Sequence, residues 1–153
     1  MKTLDSTDHK ILNFLQEDSN ISVKDLAEKI VLSFTATYER IKSLKHHGII
    51  RKNVVLINAE LAGFEIMAYC NILLKEQSNE KLQEFEQKIK DEPQVLEVVS
   101  LSGQYDYMIK VVAKNIKDYN NFMTTVVANI PNIGHYHSNI VFSVIKNDTK
   151  FTF

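Results

Sequence analysis

The sequence predicts an α+β protein in two parts: three short helices, then a ferredoxin-like sheet with the order βαββαβ. Three observations predict it. Through the first fifty positions apolar residues recur at helical spacing, and Ser, Asp and Gly punctuate the ends of three segments. From residue 66 the period changes to two, as in a strand. Beyond that, two β-rich runs flank Gly103-Gln104-Tyr105, and each of two amphipathic stretches stops at a proline, Pro93 or Pro131.

The first helix is written Leu4-Asp5-x-x-Asp8-x-x-Ile11-Leu12-x-x-Leu15. Asp5 and Asp8 fall in its first turn, where carboxylates complement unpaired backbone N–H groups and the helix dipole. Ser22 and Asp25 form an S-x-x-D capping pattern that opens a second helix, with Leu26, Ala27 and Ile30 on its buried side. Ser33 caps a third, whose inward positions are Thr37, Ile41 and Leu44. Gly48 follows where a left-handed C-terminal residue is wanted, and Ile49-Ile50 resume the apolar run.

Residues 22–50 therefore read as two helices joined by a tight turn, the layout of a helix-turn-helix. At about 100° per residue, Thr35, Glu39, Lys42 and His46 point away from the 37/41/44 stripe, flanked by Tyr38 and Ser43. Such a face can simply be solvated. Charge favours a second use. From Ser33 to Lys52 the chain carries Arg40, Lys42, Lys45, Arg51 and Lys52 against Glu39 alone, whereas residues 53–153 hold nine basic and twelve acidic side chains. Positive charge is gathered where a phosphate backbone would lie, so double-stranded DNA is the expected partner.

The second half begins after a connecting segment. Residues 51–63 read as a short strand followed by a turn ending at Gly63, which divides the chain into a helix-turn-helix domain at 1–50, a linker at 51–63 and a ferredoxin-like domain at 64–153. In the first strand, residues 66–75, Ile66, Ala68, Cys70, Ile72 and Leu74 alternate with Met67, Tyr69, Asn71 and Leu73. A helix carries Leu82, Phe85 and Ile89. Strands at 95–102 and 106–113 make a hairpin, a second helix buries Tyr119, Phe122, Met123, Val126 and Ile130, and a last strand is expected at 139–146. Both sheet faces carry apolar side chains, yet two helices cover only one. A second copy related by a two-fold axis would cover the other and would offer two recognition helices roughly 34 Å apart.

Composition bounds the rest. A chain of 153 residues with 44% hydrophobic content can bury real cores, and a net charge of −1 argues against bulk coating of nucleic acid. The single Cys70 excludes an internal disulfide and a cysteine-cluster zinc site. The most apolar run, Phe64–Leu74, is interrupted by Glu65 and Asn71, and no charged-then-apolar leader precedes the first helix. A cytoplasmic, nucleoid-associated protein away from membranes is expected. His135-x-His137 places two imidazoles on one side of an extended segment; lacking a third ligand, the pair is read as exposed rather than metal-binding. No phosphate loop or nucleophile elbow appears, and no cofactor is implied.

Taken in order and spacing, these residues resemble the Lrp/AsnC (feast/famine) transcription regulators along essentially the whole chain. The resemblance rests on Leu4-Asp5-x-x-Asp8-x-x-Ile11-Leu12, Leu26-Ala27, Leu32-Ser33 and Arg40-Ile41-x-x-Leu44-x-x-x-Gly48-x-Ile50. Gly103-x-Tyr105-Asp106-Tyr107 and Ile130-Pro131 complete it. It implies an effector-binding and oligomerisation domain of the RAM type, and a sequence-specific regulator acting as a homodimer or an octamer (a tetramer of dimers). It also implies that an amino acid or related small metabolite acts as effector. By the same resemblance, Ser33, Thr35, Tyr38, Glu39 and Lys42 fall at DNA-contacting positions and Arg40 on the family's usual arginine, with Lys45, Arg51 and Lys52 adding phosphate affinity. Arg40 borders the buried stripe, so a phosphate contact or a bond to the neighbouring helix stands beside base readout.

Effector binding is implied for Gly103, Gln104, Tyr105 and Asp106 in the hairpin loop and for Tyr136, Ser138, Asn139 and Ile140 entering the last strand. There a carboxylate can receive an ammonium and free N–H groups a carboxylate; the competing role for Asp106 is turn capping. Three positions depart from the family pattern. Val31 stands where glycine is common in the turn, so a geometry other than left-handed is expected. Gln104 replaces a frequent acidic residue and Tyr136 a frequent threonine, so effector identity does not transfer. An alternative on the same architecture is a siroheme-decarboxylase-like enzyme, with His135 and His137 addressing a tetrapyrrole. The basic third helix argues against that reading.

Overall fold

A computed structural model describes residues 2–153, which divide into two compact units. The first runs to Leu56 and takes back the tail Lys146–Phe153; the second is Ile57–Ile145.

The first unit holds α1 (Ser6–Glu17), α2 (Val23–Ile30) and α3 (Phe34–His46). Each begins where a side-chain acceptor meets free backbone donors. Asp5 Oδ1 accepts the N–H groups of Thr7 and Asp8 at 2.9 and 2.8 Å, Ser22 Oγ that of Asp25 at 3.0 Å, and Ser33 Oγ that of Ala36 at 3.2 Å. Their apolar stripes meet in one core of Ile11, Leu12, Leu26, Ile30 and Leu44. Thr37 is buried with them, its hydroxyl donating to the Ser33 carbonyl at 3.0 Å.

α3 closes as its sequence requires. Gly48 takes φ 71° while the Gly48 and Ile49 N–H groups return to the carbonyls of Lys45 and Leu44. α2 closes in the same way on a valine. Val31 adopts φ 58° and ψ 51°, with the Val31 and Leu32 N–H groups bonded to Glu28 and Ala27. The expectation of another turn geometry is corrected: two chain-closing hydrogen bonds hold the left-handed conformation against its cost of about 1–2 kcal/mol.

The second unit holds β1 (Ile66–Leu74), α4 (Asn79–Ile89), β2 (Val95–Ser100), β3 (Tyr107–Ala113), α5 (Ile116–Thr125) and β4 (Ile133–Ile140). The strands form one antiparallel sheet in the order β2-β3-β1-β4. Ala68, Cys70, Ile72 and Leu74 of β1 and Tyr107, Ile109 and Val111 of β3 pack beneath Phe85 and Ile89 of α4 and Phe122 and Met123 of α5. Met67, Tyr69, Asn71 and Leu73 lie half-buried on the opposite face.

Three sequence expectations are corrected here. The last strand is Ile133–Ile140, not 139–146, because its register against β1 runs from Leu74↔Ile133 to Ala68↔Ile140. The Val141 N–H still bonds the Met67 carbonyl, and only Ile66 of β1 lies beyond it to continue the ladder. Residues 51–57 form no strand within this chain, and Val55, Leu56 and Ile57 are exposed. The second helix stops at Thr125 and continues only as a 3-10 turn, Val127–Asn129.

Candidate nucleic-acid interface and effector loop

α3 has one side committed to the core and one left open. Leu44 and Thr37 are buried, Ile41 is half-buried, and Thr35, Tyr38, Glu39, Lys42 and His46 are exposed on the other side. Its first turn carries no acidic residue, whereas α1, α2, α4 and α5 begin with Asp8, Asp25, Glu80 and Asp118. Ser33 alone answers the free N–H groups there, and the positive end of the dipole stays uncompensated. Lys42 approaches Glu39 only to 3.9 Å, both side chains being largely in solvent. Lys45, His46, Arg51 and Lys52 are likewise exposed.

Arg40 is placed differently. Its Nη1 donates to Asp5 Oδ2 at 2.8 Å and to Asp8 Oδ1 at 2.9 Å, and Lys2 Nζ reaches the other Asp8 oxygen at 3.1 Å. The two carboxylates, first by these hydrogen bonds, raise the guanidinium pKa. Of the roles the sequence left open for Arg40, the bond to the neighbouring helix is formed within the chain. Sequence reasoning credited Asp5 and Asp8 only with complementing the dipole. What the sequence did not reveal was the partner: the two carboxylates lie 35 and 32 positions away along the chain.

Phe34 was also passed over. It heads α3 at 56% exposure, its ring parallel to that of Tyr38 with centroids 6.4 Å apart and planes 6° apart. Its angle borders the 37/41/44 stripe, three residues before Thr37 and seven before Ile41, so the sequence pattern held no signal that the ring stays outside the trihelical core.

In the second unit, the 103–106 loop joins β2 to β3. Gly103 (φ 150°) and Gln104 are exposed, while Tyr105 and Asp106 are half-buried. Asp106 is bound three ways: its N–H donates to the Ile72 carbonyl (2.9 Å), its carbonyl accepts from Leu101 (2.8 Å), and Oδ2 accepts the Leu74 N–H (2.7 Å). One carboxylate oxygen therefore fastens the end of β1. Asn132, which the sequence did not single out, fastens the next residues: its side-chain amide bonds both the N–H and the carbonyl of Glu76, and its own carbonyl accepts from Lys75.

The four β4 positions do not form one surface with this loop. Tyr136, paired with Ile72, packs partly against the helix-covered core, and Ser138 accepts the Tyr119 hydroxyl at 2.7 Å on that same side. Burial pushes the Tyr119 hydroxyl pKa up, against that bond. Asn139 alternates onto the open face beside Tyr69, and Ile140 lies level with Ala68, four residues along β1 from Ile72. His135 and His137 are exposed on the open face, opposite Leu73 and Asn71. Among the described residues no three His, Cys, Asp or Glu side chains come together around a cation, and no helix is long and apolar enough to cross a membrane.

A helix-turn-helix with an open, uncompensated second helix, joined to a βαββαβ unit, defines a DNA-binding regulator. Comparison with known proteins gives the class its family. Residues 4–45 match the AsnC-type helix-turn-helix domain and residues 67–151 the Lrp/AsnC ligand binding domain. The chain is 38% identical over 143 residues to the transcriptional regulator AzlB of Bacillus subtilis, covering 94% of this chain and 91% of that one. Two solved structures share the fold. An AsnC family transcriptional regulator from Agrobacterium tumefaciens has TM-score 0.91 at 33% identity, covering 97% of each chain. A transcriptional regulator from Neisseria meningitidis, in complex with L-Met, has TM-score 0.92 at 25% identity, covering 98% of this chain and 97% of that one. The protein belongs to the Lrp/AsnC family of transcriptional regulators. The matches support regulation and lend nothing to the tetrapyrrole-enzyme alternative.

Proposed function

We propose that the protein is a cytoplasmic, nucleoid-associated regulator that reads operator DNA with α3 and answers to an amino acid or related metabolite. The observation that carries this reading is the asymmetry of α3. Arg40 locks one flank to α1, while Ser33, Thr35, Tyr38, Glu39 and Lys42 stand together in solvent. A recognition helix needs that division between a fixed and a free side. In this role Thr35, Tyr38, Glu39 and Lys42 lie near base edges and phosphates, and Lys45, Arg51 and Lys52 supply phosphate affinity that carries no sequence information.

Assembly as a homodimer is supported by apolar surface that the single chain leaves in water. Val54–Ile57, Phe142 and Ile145 are exposed, as is the open sheet face of Met67, Tyr69 and Leu73 in part. A second copy would cover these, and four dimers would close the octamer. Effector binding is supported by the ligand-binding family match and by the L-Met bound to the Neisseria regulator. In this chain the Gly103–Asp106 loop would receive it, with Asp106 Oδ1 turned to the ammonium, since Oδ2 is already engaged by Leu74. Because Asn139 and Ile140 lie away from that loop along β4, a second subunit would complete the pocket. Occupancy would then shift assembly through differential affinity for the two states.

Selection of bound genomic fragments, with and without a pool of amino acids, tests the reading. Enrichment of a pseudo-palindromic sequence that changes with the pool is expected. Recovery of random fragments under both conditions would overturn it.

A further inference from the structure

Most large apolar side chains of the first unit's helices serve the trihelical core: Ile11, Leu12, Leu26, Ile30 and Leu44 form it, and Phe14, Leu15 and Ile41 pack against it. Phe34 is not among them. It occupies the first position of α3, exposed, with Tyr38 one turn later lying parallel to it. Val31, in the turn before, is also exposed, to 87%. The N-terminal end of α3 thus offers an aromatic pair beside the polar positions Thr35 and Lys42.

The N-terminal residues of a recognition helix are those that meet base edges. A phenyl ring has no donor or acceptor for a base edge and no charge for a phosphate. What it can match is apolar. In the major groove thymine displays a C5-methyl group beside its O4 acceptor, the one methyl group on the four base edges there. The Tyr38 ring one turn on, parallel with its centroid 6.4 Å away, restricts where the Phe34 ring can turn, so binding has less side-chain freedom to remove.

We infer that Phe34, held parallel to Tyr38, reads thymine C5-methyl groups in each half-site and is a specificity-determining residue of this regulator. The inference rests on the DNA-binding role proposed for α3. It goes further by assigning a residue outside the polar contact set and a base chemistry for it to recognise.

Deoxyuridine tests it, since it keeps every hydrogen-bonding group of thymidine and lacks only the methyl. Duplexes recovered from a random pool by the full-length protein are remade with each thymine replaced in turn, and affinities are compared for the wild type, Phe34→Ala and Phe34→Leu. At one or more positions the replacement should weaken wild-type binding about fourfold, the value of one buried methyl group. Phe34→Ala should bind both duplexes alike, and Phe34→Leu should show a reduced penalty. Thermal midpoints near wild type are expected for both variants, because the ring is not core. If Phe34→Ala binds too weakly to measure, Phe34→Leu decides: an unchanged methyl penalty contradicts the inference. Wild-type indifference to deoxyuridine at every position, or enriched sites without thymine, overturns it while leaving the DNA-binding role intact. Failure to retain any duplex overturns that role, and the inference with it.

Discussion

Arg40 Nη1 on α3 lies 2.9 Å from Oδ1 of Asp8 on α1, a carboxylate only 1% exposed. That pair fixes the third helix against the first. Asp8 is buried and Arg40 half-buried, so α3 is tied to α1 without spending the polar groups of its exposed positions. A buried carboxylate left without a partner is costly.

Arg40→Ala should therefore act on stability. Lys2 still reaches the other Asp8 oxygen and Arg40 is partly exposed, so a loss of about 2 kcal/mol is expected rather than the full penalty of an orphaned buried charge. Chemical denaturation measures it. A variant as stable as the wild type, yet unable to bind DNA, would mean that Arg40 serves the duplex instead.

Val31→Gly should stabilise the protein. Val31 is exposed and left-handed, so glycine relieves backbone strain of about 1–2 kcal/mol and loses little packing. Against this stands an unfolded-chain entropy cost of about 0.4–1 kcal/mol. A net gain of roughly 0.5–1 kcal/mol follows from these two, visible as a raised thermal midpoint. A lowered midpoint would show that the valine side chain is needed where it stands.

Acid sensitivity should pass partly through Asp5. The backbone bond from Asp8, then the Arg40 guanidinium, hold its carboxyl below the ordinary carboxylate range. A depressed folded pKa means that the stabilising contribution is complete above about pH 4 and disappears as the pH falls through the lower folded value. Asp5→Asn keeps a capping oxygen but cannot titrate. Its stability should change less than that of the wild type between about pH 4 and pH 2; identical acid profiles would remove Asp5 from the account.

Two substitutions separate the roles of Asp106. Asparagine can still accept the Leu74 N–H, whereas alanine cannot and should cost about 1–2 kcal/mol. Both lack the charge for an effector ammonium, so both should lose any amino-acid-induced rise in thermal midpoint. A rise retained in Asp106→Asn would move the effector's ammonium to another residue.

Much of the fold was legible because its signals are local. Asp5, Ser22 and Ser33 cap the helices they announce, and Gly48 closes α3. The alternation at 66–74 marks β1 because a core lies on one face only. What failed depended on partners distant in sequence. Residues 133–140 lack an apolar alternation and become a strand through pairing with β1, whereas 141–146 have the composition of a strand and no ladder left to join. Val54–Ile57 fail for the same reason. In the effector set, Ser138 and Asn139 were named together by the family resemblance, and the two-residue period of the strand sends them to opposite faces of the sheet. On α3 the polar positions were visible from the helical wheel, but the exposure of Phe34 was not: its angle borders the 37/41/44 stripe, and only the packing of the three helices leaves the first turn of α3 outside the core.

The central claim is that α3 faces a duplex, and the salt dependence of binding tests it most directly. Affinity of the full-length protein for a selected duplex should fall linearly in log Kd against log salt between about 50 and 200 mM. Lys42→Ala should weaken binding and reduce that slope by about one phosphate contact per bound subunit, with thermal stability and subunit association unchanged. Absence of binding at low salt, or a Lys42→Ala slope equal to the wild type, would contradict it.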